Sequence, residues 1–534
     1  MEDEFEKIPT WKMGMEWDVA VSEMHKRKEA VGRMGGKERV ERQHSHGKLT
    51  VRERIEKLVD KDSFFEAGSL MGTSQYDENN DIVNFIPTGY VTGLAEIDGR
   101  PVTLGGEDFT VRGGSEAGKG ADFFMQPLSI QYGVPAVYIC DGAGANAANY
   151  EKRNRMYLPA SGKTWWWCTQ TLLKVPVISA VMGSIAGGVA ARACLSHFSI
   201  MVKGTGQIFP GGPPVVERAY GYQITKEELG GTWLHCCETG VIDNEAKDEA
   251  DCFRQIRQFL SYMPDTTTEV PQRIDLGDDP NRREEELLTI IPKDPEKGYD
   301  MYKLIRLIVD KGEFFEIRKG YGPSLITALA RMDGYVVGVL AGNPEFSGGA
   351  VTGPSARKMA RFIDLCNFFN IPLMLLVDVS GFDVGLEAEK QGAIRCAAHA
   401  LMSAAESNVP KVQFNLRKAH GMASGLFDSI GGALNLKLRL GWPSGDWRTN
   451  PVECEPYAAG SAGMASALNP EAKQQALEAK IVGAGSPFHA AEAGEVVDII
   501  DPRDTRSIAC RFFKAAEPSL KKNAALLKPS VRPW

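Results

Sequence analysis

LVDKDSFFE, residues 58–66, is written a second time in this chain as IVDKGEFFE, residues 308–316, and each copy follows a stretch with helical spacing. Three further anchors recur in the same order. Asp98-Gly99 matches Asp333-Gly334, each pair between strand-like runs. VPAVYICDGAG (134–144) matches IPLMLLVDVSG (371–381), and VPVISAVMGSIAGG (175–188) matches VPKVQFNLRKAHGM (409–422). A single match is chance, but four in register mean two halves with one fold. Apolar runs such as 136–140 and 373–377 read as strands buried on both faces, and they alternate with helical stretches such as 391–405. That pattern is α/β with largely parallel strands.

Residues 264–295 separate the halves. They hold five prolines, the acidic run 284–286 and little apolar periodicity apart from 287–291, so they read as a connector. The expected organisation is an N-terminal helical arm (1–45), a first domain (46–263), a linker (264–297) and a second domain (298–534). The arm is polar and charged with helical spacing. Thr50 and Glu53 then fit a capping box, and Val51, Ile55, Leu58 and Val59 form an apolar stripe, so a helix starts there.

The 534 residues are 43% hydrophobic and 24% charged, an ordinary balance for a globular protein with a large core. A net charge of -8 lacks the basic footprint of a nucleic-acid binder. The ten cysteines form no CxxC pair and no secretory signal precedes them, so neither a zinc ribbon nor a disulfide framework is indicated and a reduced, cytoplasmic setting is expected. His44 and His46 flank Ser45 with no carboxylate or cysteine close in sequence, which reads as a solvated turn; no metal site is expected.

Residues 175–191, VPVISAVMGSIAGGVAA, carry no charge, but Pro176, two serines, three glycines and the following Arg192 exclude a membrane span. The run reads as a strand over 176–181, a tight turn at Gly183 and a helix opening near Gly187 and Gly188. Such a junction leaves backbone N–H groups pointing outward, where they can stabilise an oxyanion. The chemistry must come from peptide groups, because few conventional catalytic side chains accompany it. His197, His235, His399 and His420 lie in apolar or mixed segments and read as structural, with His420 the one beside the repeated turn. Gly113 and Gly114 in TVRGGS read either as a plain turn or as a place where an extended ligand can approach the backbone. Trp165, Trp166 and Trp167 fall in a predicted helix and cannot all face one core, so at least one meets a ligand or a partner.

DFTVRGGS (108–115), DGAGA (141–145), MGSIAGG (182–188), QIFPGGPPVV (207–216) and ELGGTWLH (228–235) resemble the N-terminal half of carboxyltransferase (beta) subunits of biotin-dependent acyl-CoA carboxylases. NIPLMLLVDVSGFDVGLEAE (370–389), VPKVQFNLRKAHGMA (409–423) and SPFHAAEAGEVVDIIDPRDTR (486–506) resemble the C-terminal half, so the likeness runs from about residue 42 to 506. The GPP after Ile208, the LHC at Leu234 and the GFDVGLEAE segment are similar to the methylcrotonoyl-CoA type. The resemblance implies two tandem crotonase-like domains, each a ββα superhelix, from one duplication. It implies acyl-CoA on the first half and carboxybiotin on the second, with biotin carried by a partner biotin carboxylase or carboxyl carrier subunit, and a hexamer of this chain. CO2 then moves from biotin to the α- or vinylogous carbon of an acyl-CoA through an enolate.

On that basis Gly187 and Gly188 are the expected donors to the enolate oxygen, and Gly421, Met422 and Ala423 form the corresponding hole on the biotin side. Gly113, Gly114, Gly142, Ala143 and Gly144 are expected around the acyl-CoA, and Gly381, Phe382 and His420 around biotin; Arg112 or Arg192 is a candidate for a CoA phosphate. Three segments depart from the family pattern: GMA at 421–423, SGDWRTNPVECEPYAAGSAG at 444–463, and DGAGANAAN at 141–149. Three readings therefore stay open: a carboxylase subunit, the carboxyltransferase of a biotin-dependent decarboxylase, and a non-catalytic structural paralogue.

Overall fold

The computed structural model describes residues 5–115, 124–144, 162–427, 436–449, 485–526, 528, 530 and 531. The chain forms two compact units, Met1–Cys236 with Val241–Ser261, and Cys237–Gly240 with Tyr262–Trp534.

In the first unit the strands in chain order are β1 (Phe65–Glu66), β2 (Gly72–Tyr76), β3 (Ile82–Pro87), β4 (Tyr90–Ile97), β5 (Arg100–Glu107), β6 (Ala136–Cys140), β7 (Val177–Val181), β8 (Ser184–Ala186), β9 (Phe198–Val202), β10 (Gln207–Phe209) and β11 (Asn244–Ala246). The main sheet has the order β1-β4-β5-β6-β7-β9-β11. The hairpin β4–β5 is antiparallel, and from β5 onward every pairing is parallel. In β6, β7 and β9 every residue is buried, as the uninterrupted apolar runs predict.

The second unit repeats this order with β12 (Phe314–Glu316), β13 (Leu325–Met332), β14 (Tyr335–Gly342), β15 (Leu373–Val379), β16 (Lys411–His420), β17 (Lys437–Gly441), β18 (Asp446–Arg448) and β19 (Asp498–Ile499). The repetition holds to the level of register. Ala136 faces Thr103 and Val177 in the first sheet, and Leu373 faces Gly338 and Lys411 in the second. The main difference is at the edge of the site: β16 runs unbroken for ten residues where the first unit has β7, a turn and then β8.

The repeated LVDK motif earns its recurrence through its aspartate. Asp60 accepts hydrogen bonds from the Asp98 and Gly99 N–H groups at 3.0 and 2.7 Å, and Asp310 accepts from Asp333 and Gly334 at the same distances. Both turn residues have positive φ in each hairpin (53° and 74°, 50° and 77°), the conformation a two-residue hairpin requires and the reason for Asp-Gly. Two of the four sequence anchors thus meet in space. The arm contains the helices Trp17–Gly32 and Lys37–Ser45, and Ile8, Ala30 and Val31 pack with Ile82 and Phe85 of the β2–β3 hairpin.

The helix before each LVDK motif buries one face at i, i+3, i+4, i+7 spacing. In Met301–Ile308 that face is Met301, Leu304, Ile305 and Ile308. In Val51–Leu58, capped by Thr50 and Glu53 as predicted, it is Val51, Arg54, Ile55 and Leu58, so a buried arginine stands where the second half has leucine. Among the described residues no helix is long and apolar enough to cross a membrane.

Candidate active site

The turn after β7 is closed by Met182 and Gly183, whose N–H groups both donate to the Cys140 carbonyl. Gly183 must be glycine because a β-carbon there would collide with the Asp141 carboxylate. The short β8 then pairs in parallel with β10, a strand pair absent from the sequence reading. It delivers Gly187 at φ 60° and ψ -123°, a conformation that favours glycine, as the N-cap of the helix Gly188–Cys194. Gly187 and Gly188 are exposed, and their amides have no hydrogen-bond acceptor among the described residues.

The five other first-half candidates converge on this turn. Arg112, Gly113 and Gly114 are consecutive positive-φ residues, and the Gly113 carbonyl accepts from Ala143 N–H at 2.9 Å. A β-carbon on Gly114 would approach Glu107 Cβ to 2.8 Å, one on Gly142 would approach Glu107 Cγ to 2.8 Å, and one on Gly144 would reach the Ala186 carbonyl at 2.7 Å. The glycines therefore let two loops press onto Glu107 at the end of β5, and Gly144 reaches Ala186 of the strand that carries Gly187. Residues 145–149 of the departing DGAGANAAN segment lie outside the described residues.

In the second unit the end of β16, Lys418–His420, pairs in parallel with β18 as β8 does with β10. Gly421 has φ 56°, and a β-carbon there would come within 2.7 Å of the Thr449 carbonyl. It opens the helix Gly421–Gly425. Ala423 is buried, while the Met422 side chain is 57% exposed, so its bulk projects away from the packed interior. The Met422 and Ala423 amides have no acceptor among the described residues. His420 is buried, with Nε2 3.3 Å from Asp446 Oδ2, and its Nδ1 has no partner among the described residues. Burial alone would raise the Asp446 pKa, but His420 and Arg448 bring it below the ordinary aspartate value. Gly381 and Phe382 sit on Val351: Gly381 C=O accepts from Val351 N–H at 2.9 Å, and Phe382 bridges to Val351 in parallel. Residues 450–463 of the other departing segment lie outside the described residues.

One duplicated feature escaped the sequence reading. Ser347, Gly348 and Gly349 are also consecutive positive-φ residues, the counterpart of Arg112, Gly113 and Gly114. The signal was present as RGGS against SGGA, each shortly after a sheet strand.

A cavity of about 880 Å³ lies beside the first turn, and Ser184 and Gly113 reach its wall. Its lining is mainly cationic: Arg39, Arg42, Lys48, Arg112 and Lys226, with His46 and one carboxylate, Glu227, among them. Arg192 is not there. It is buried in an ion pair with Glu107 and stacked by the Tyr90 and Tyr138 rings, which removes it as a candidate for a phosphate. Two histidines have structural partners: His197 Nδ1 accepts from Val177 N–H at 3.0 Å, and His235 Nε2 lies 2.9 Å from the Ile208 carbonyl, with burial lowering its pKa. Of the three tryptophans, Trp166 stays 53% exposed. No group of three or more His, Cys, Asp or Glu suited to a metal occurs among the described residues.

Comparison with known proteins gives the family of this chain. The carboxyl transferase domain family model matches residues 42–528. The chain is 35% identical to methylmalonyl-CoA decarboxylase subunit alpha of Veillonella parvula, over 90% of this chain and 93% of that one. It is 34% identical to the biotin-dependent acetyl-/propionyl-coenzyme A carboxylase beta5 subunit of Mycobacterium tuberculosis, over 95% and 93%. The crystal structure of the transcarboxylase 12S hexamer assembly, with methylmalonyl-coenzyme A and methylmalonic acid bound, superposes with a TM-score of 0.84 at 31% identity, covering 98% of each chain. The chain therefore belongs to the carboxyl transferase domain family, the carboxyltransferase subunits of biotin-dependent acyl-CoA carboxylases and decarboxylases, and has the fold of two crotonase-like domains.

Proposed function

We propose that this chain is the carboxyltransferase subunit of a biotin-dependent acyl-CoA carboxylase or decarboxylase, with a thioester enolate held at Gly187 and Gly188. The observation that carries the reading is the duplicated glycine turn: Gly187 and Gly421 have φ of 60° and 56° and stand at corresponding strand ends, each followed by uncommitted amides. Removing the α-proton of an acyl-CoA puts negative charge on the thioester oxygen. Preorganised N–H donors stabilise that charge more than the neutral carbonyl, and losing one such donor costs about 2.7–4 kcal/mol. Biotin, carried on a partner subunit, supplies the carboxyl group and a ureido anion able to take the α-proton, which relieves this chain of a general base. The Met422 and Ala423 amides are the proposed donors to the ureido oxygen, with Gly381, Phe382 and His420 nearby as binding residues. The cationic cavity suits the pyrophosphate and 3′-phosphate of coenzyme A, and Gly113, Gly114, Gly142, Ala143 and Gly144 give the pantetheine arm access to backbone.

Donor amides stabilise the enolate in either direction, so the same residues serve carboxylation and decarboxylation. Met422 is exposed and its amide has no acceptor among the described residues, so that substitution does not favour a non-catalytic paralogue. Partner biotin subunits and a hexamer of this chain are part of the proposal, and methylcrotonoyl-CoA is one substrate to be tried beside propionyl-CoA and acetyl-CoA. Native purification on avidin resin, followed by assay with ATP, bicarbonate and an acyl-CoA panel, tests the reading. Bicarbonate fixation supports a carboxylase, and activity only on a carboxylated acyl-CoA supports a decarboxylase. Absence of a biotinylated companion together with absence of exchange would sink both.

A further inference from the structure

The Asp141 carboxylate is fully buried directly under the Gly183 turn, and three side chains converge on it. Gln43 Nε2 donates at 2.9 Å, Lys48 Nζ lies 3.0 Å from each oxygen, and Arg54 Nη1 donates at 2.9 Å. Arg54 is itself wholly buried, and it also holds Glu249 Oε1 through Nε at 3.0 Å and Nη2 at 2.6 Å. Among the described residues the second half surrounds its counterpart with a different set. Its corresponding aspartate, Asp378, is met by Arg417 Nε at 3.1 Å and by Lys418 N–H at 3.0 Å, both from β16, and Leu304 replaces Arg54 on the helix face. The corresponding segment of the second half meets Asp378 through a neutral side chain, Tyr299, so the charged contacts from Lys48 and Arg54 distinguish the first half.

Lys48 has a second position in the molecule. It lines the cationic cavity, where its ammonium stands 4.6 Å above the Phe109 ring, and its side chain is 11% exposed. One face of the residue meets the cavity and its charged end meets the carboxylate that underlies Gly183. From Gly183 the chain runs through β8 directly to Gly187 and Gly188.

We infer that Lys48, with Gln43, is a positioning residue: it fixes the Gly187–Gly188 turn through Asp141 rather than by binding substrate phosphate. The junction of the arm and the first domain, from Gln43 to Lys48, thereby supports the turn of the first unit. The inference rests on the function proposed above. A positioning contact acts on turnover, because a small misplacement of the donors weakens only the interaction made in the transition state. A phosphate contact acts on binding, and its loss is felt only by substrates that carry the phosphate.

The decisive comparison uses the complete native complex with acyl-CoA and with the corresponding acyl-pantetheine, which lacks the nucleotide phosphates. Lys48→Met is expected to lower kcat by about tenfold or more on both substrates, up to the order of 10²-fold, with KM changed less than threefold, and Lys48→Arg is expected to restore most of the rate. Gln43→Leu, a milder change, should lower kcat on both substrates in the same proportion to each other. A rise in KM for acyl-CoA alone would overturn the inference and make Lys48 a phosphate ligand. Unchanged kinetics together with a lowered melting temperature would overturn it in favour of a purely structural ion pair, and should Lys48→Met not fold, Gln43→Leu decides by the same criteria. If the unaltered complex neither binds nor turns over any acyl-CoA, it is the proposed function that fails, and calorimetric titration of coenzyme A into the complex separates that case from the others.

Discussion

Asp141 and Asp378 close corresponding strands of the two sheets, yet their carboxyl groups are driven in opposite directions. Both are fully buried, which by itself raises the pKa. At Asp141 the charges of Arg54 and Lys48 outweigh burial and hold the pKa below its ordinary value of 3.8; at Asp378 burial prevails over Arg417 and raises it. A lowered pKa contributes stability that is present above the unfolded value and is lost as pH falls through the folded one. A raised pKa does the reverse: the contribution is complete below the unfolded value and fades as pH rises through the folded one. Hydrogen exchange followed from about pH 7 down to about pH 3 should therefore show β6 losing protection on acidification. Asp141→Asn should flatten that acid limb, and the deficit of Asp378→Asn relative to the unaltered protein should shrink as pH rises.

The hairpin aspartates differ in what each leaves behind when removed. Asp310 is buried and also holds Arg506 at 2.8 Å, whose side chain is 1% exposed. Asp310→Ala leaves that arginine with only the more distant Asp278 carboxylate, at 3.6 Å, and should cost more than the loss of the turn hydrogen bonds alone, about 3 kcal/mol. Asp60 is a third exposed, so Asp60→Ala should cost only about 1 kcal/mol for the turn hydrogen bonds. Urea midpoints of the two variants check the ranking.

Gly188→Pro is a clean test of the first donor pair. Gly188 is the first residue of its helix, where proline is tolerated because the N–H has no intrahelical partner. Folding and assembly, followed by circular dichroism and size exclusion, should be preserved. Transfer should fall on the order of 10²–10³-fold because the N–H is gone. Near-normal turnover would exclude Gly188 as a donor.

The second turn gives contrasting expectations at adjacent residues. Met422→Ala retains the amide and removes an exposed side chain, so stability should move by less than about 0.5 kcal/mol. Any effect should then appear as a change in activity across the acyl-CoA panel. Gly421→Ala meets both a positive φ and the Thr449 carbonyl, and should lower stability and activity together. Thermal melts beside initial rates distinguish the two.

Residues that obey a period were readable from the sequence, and residues that act across the fold were not. The strands and their duplication are visible because a two-sided buried strand must be apolar throughout, and the Asp-Gly hairpins because only certain residues tolerate positive φ. Gly187 and Gly421 were legible through the repeat. Arg54 was not, since an arginine inside an apolar stripe looks like an interruption of the helix face until Asp141 and Glu249 appear opposite it. Arg192 misled for a similar reason: a charge in the last turn of a short helix suggests a surface role, and only the fold shows Glu107 beneath it. The short β8–β10 pair was hidden because three residues are too few to display alternation.

A glycine at position 183 and an aspartate at position 141 exclude any other arrangement of that corner, since the carboxylate stands where a β-carbon would be. Their inheritance is consequently joint. A descendant that acquired a side chain at 183 would have to surrender Asp141, and Lys48, Arg54 and Glu249 would then lose their reason to be charged. Drift at these positions should run as a block, which gives a criterion for sorting relatives: those that keep the whole set share this corner, and those that have replaced one member should have replaced the others.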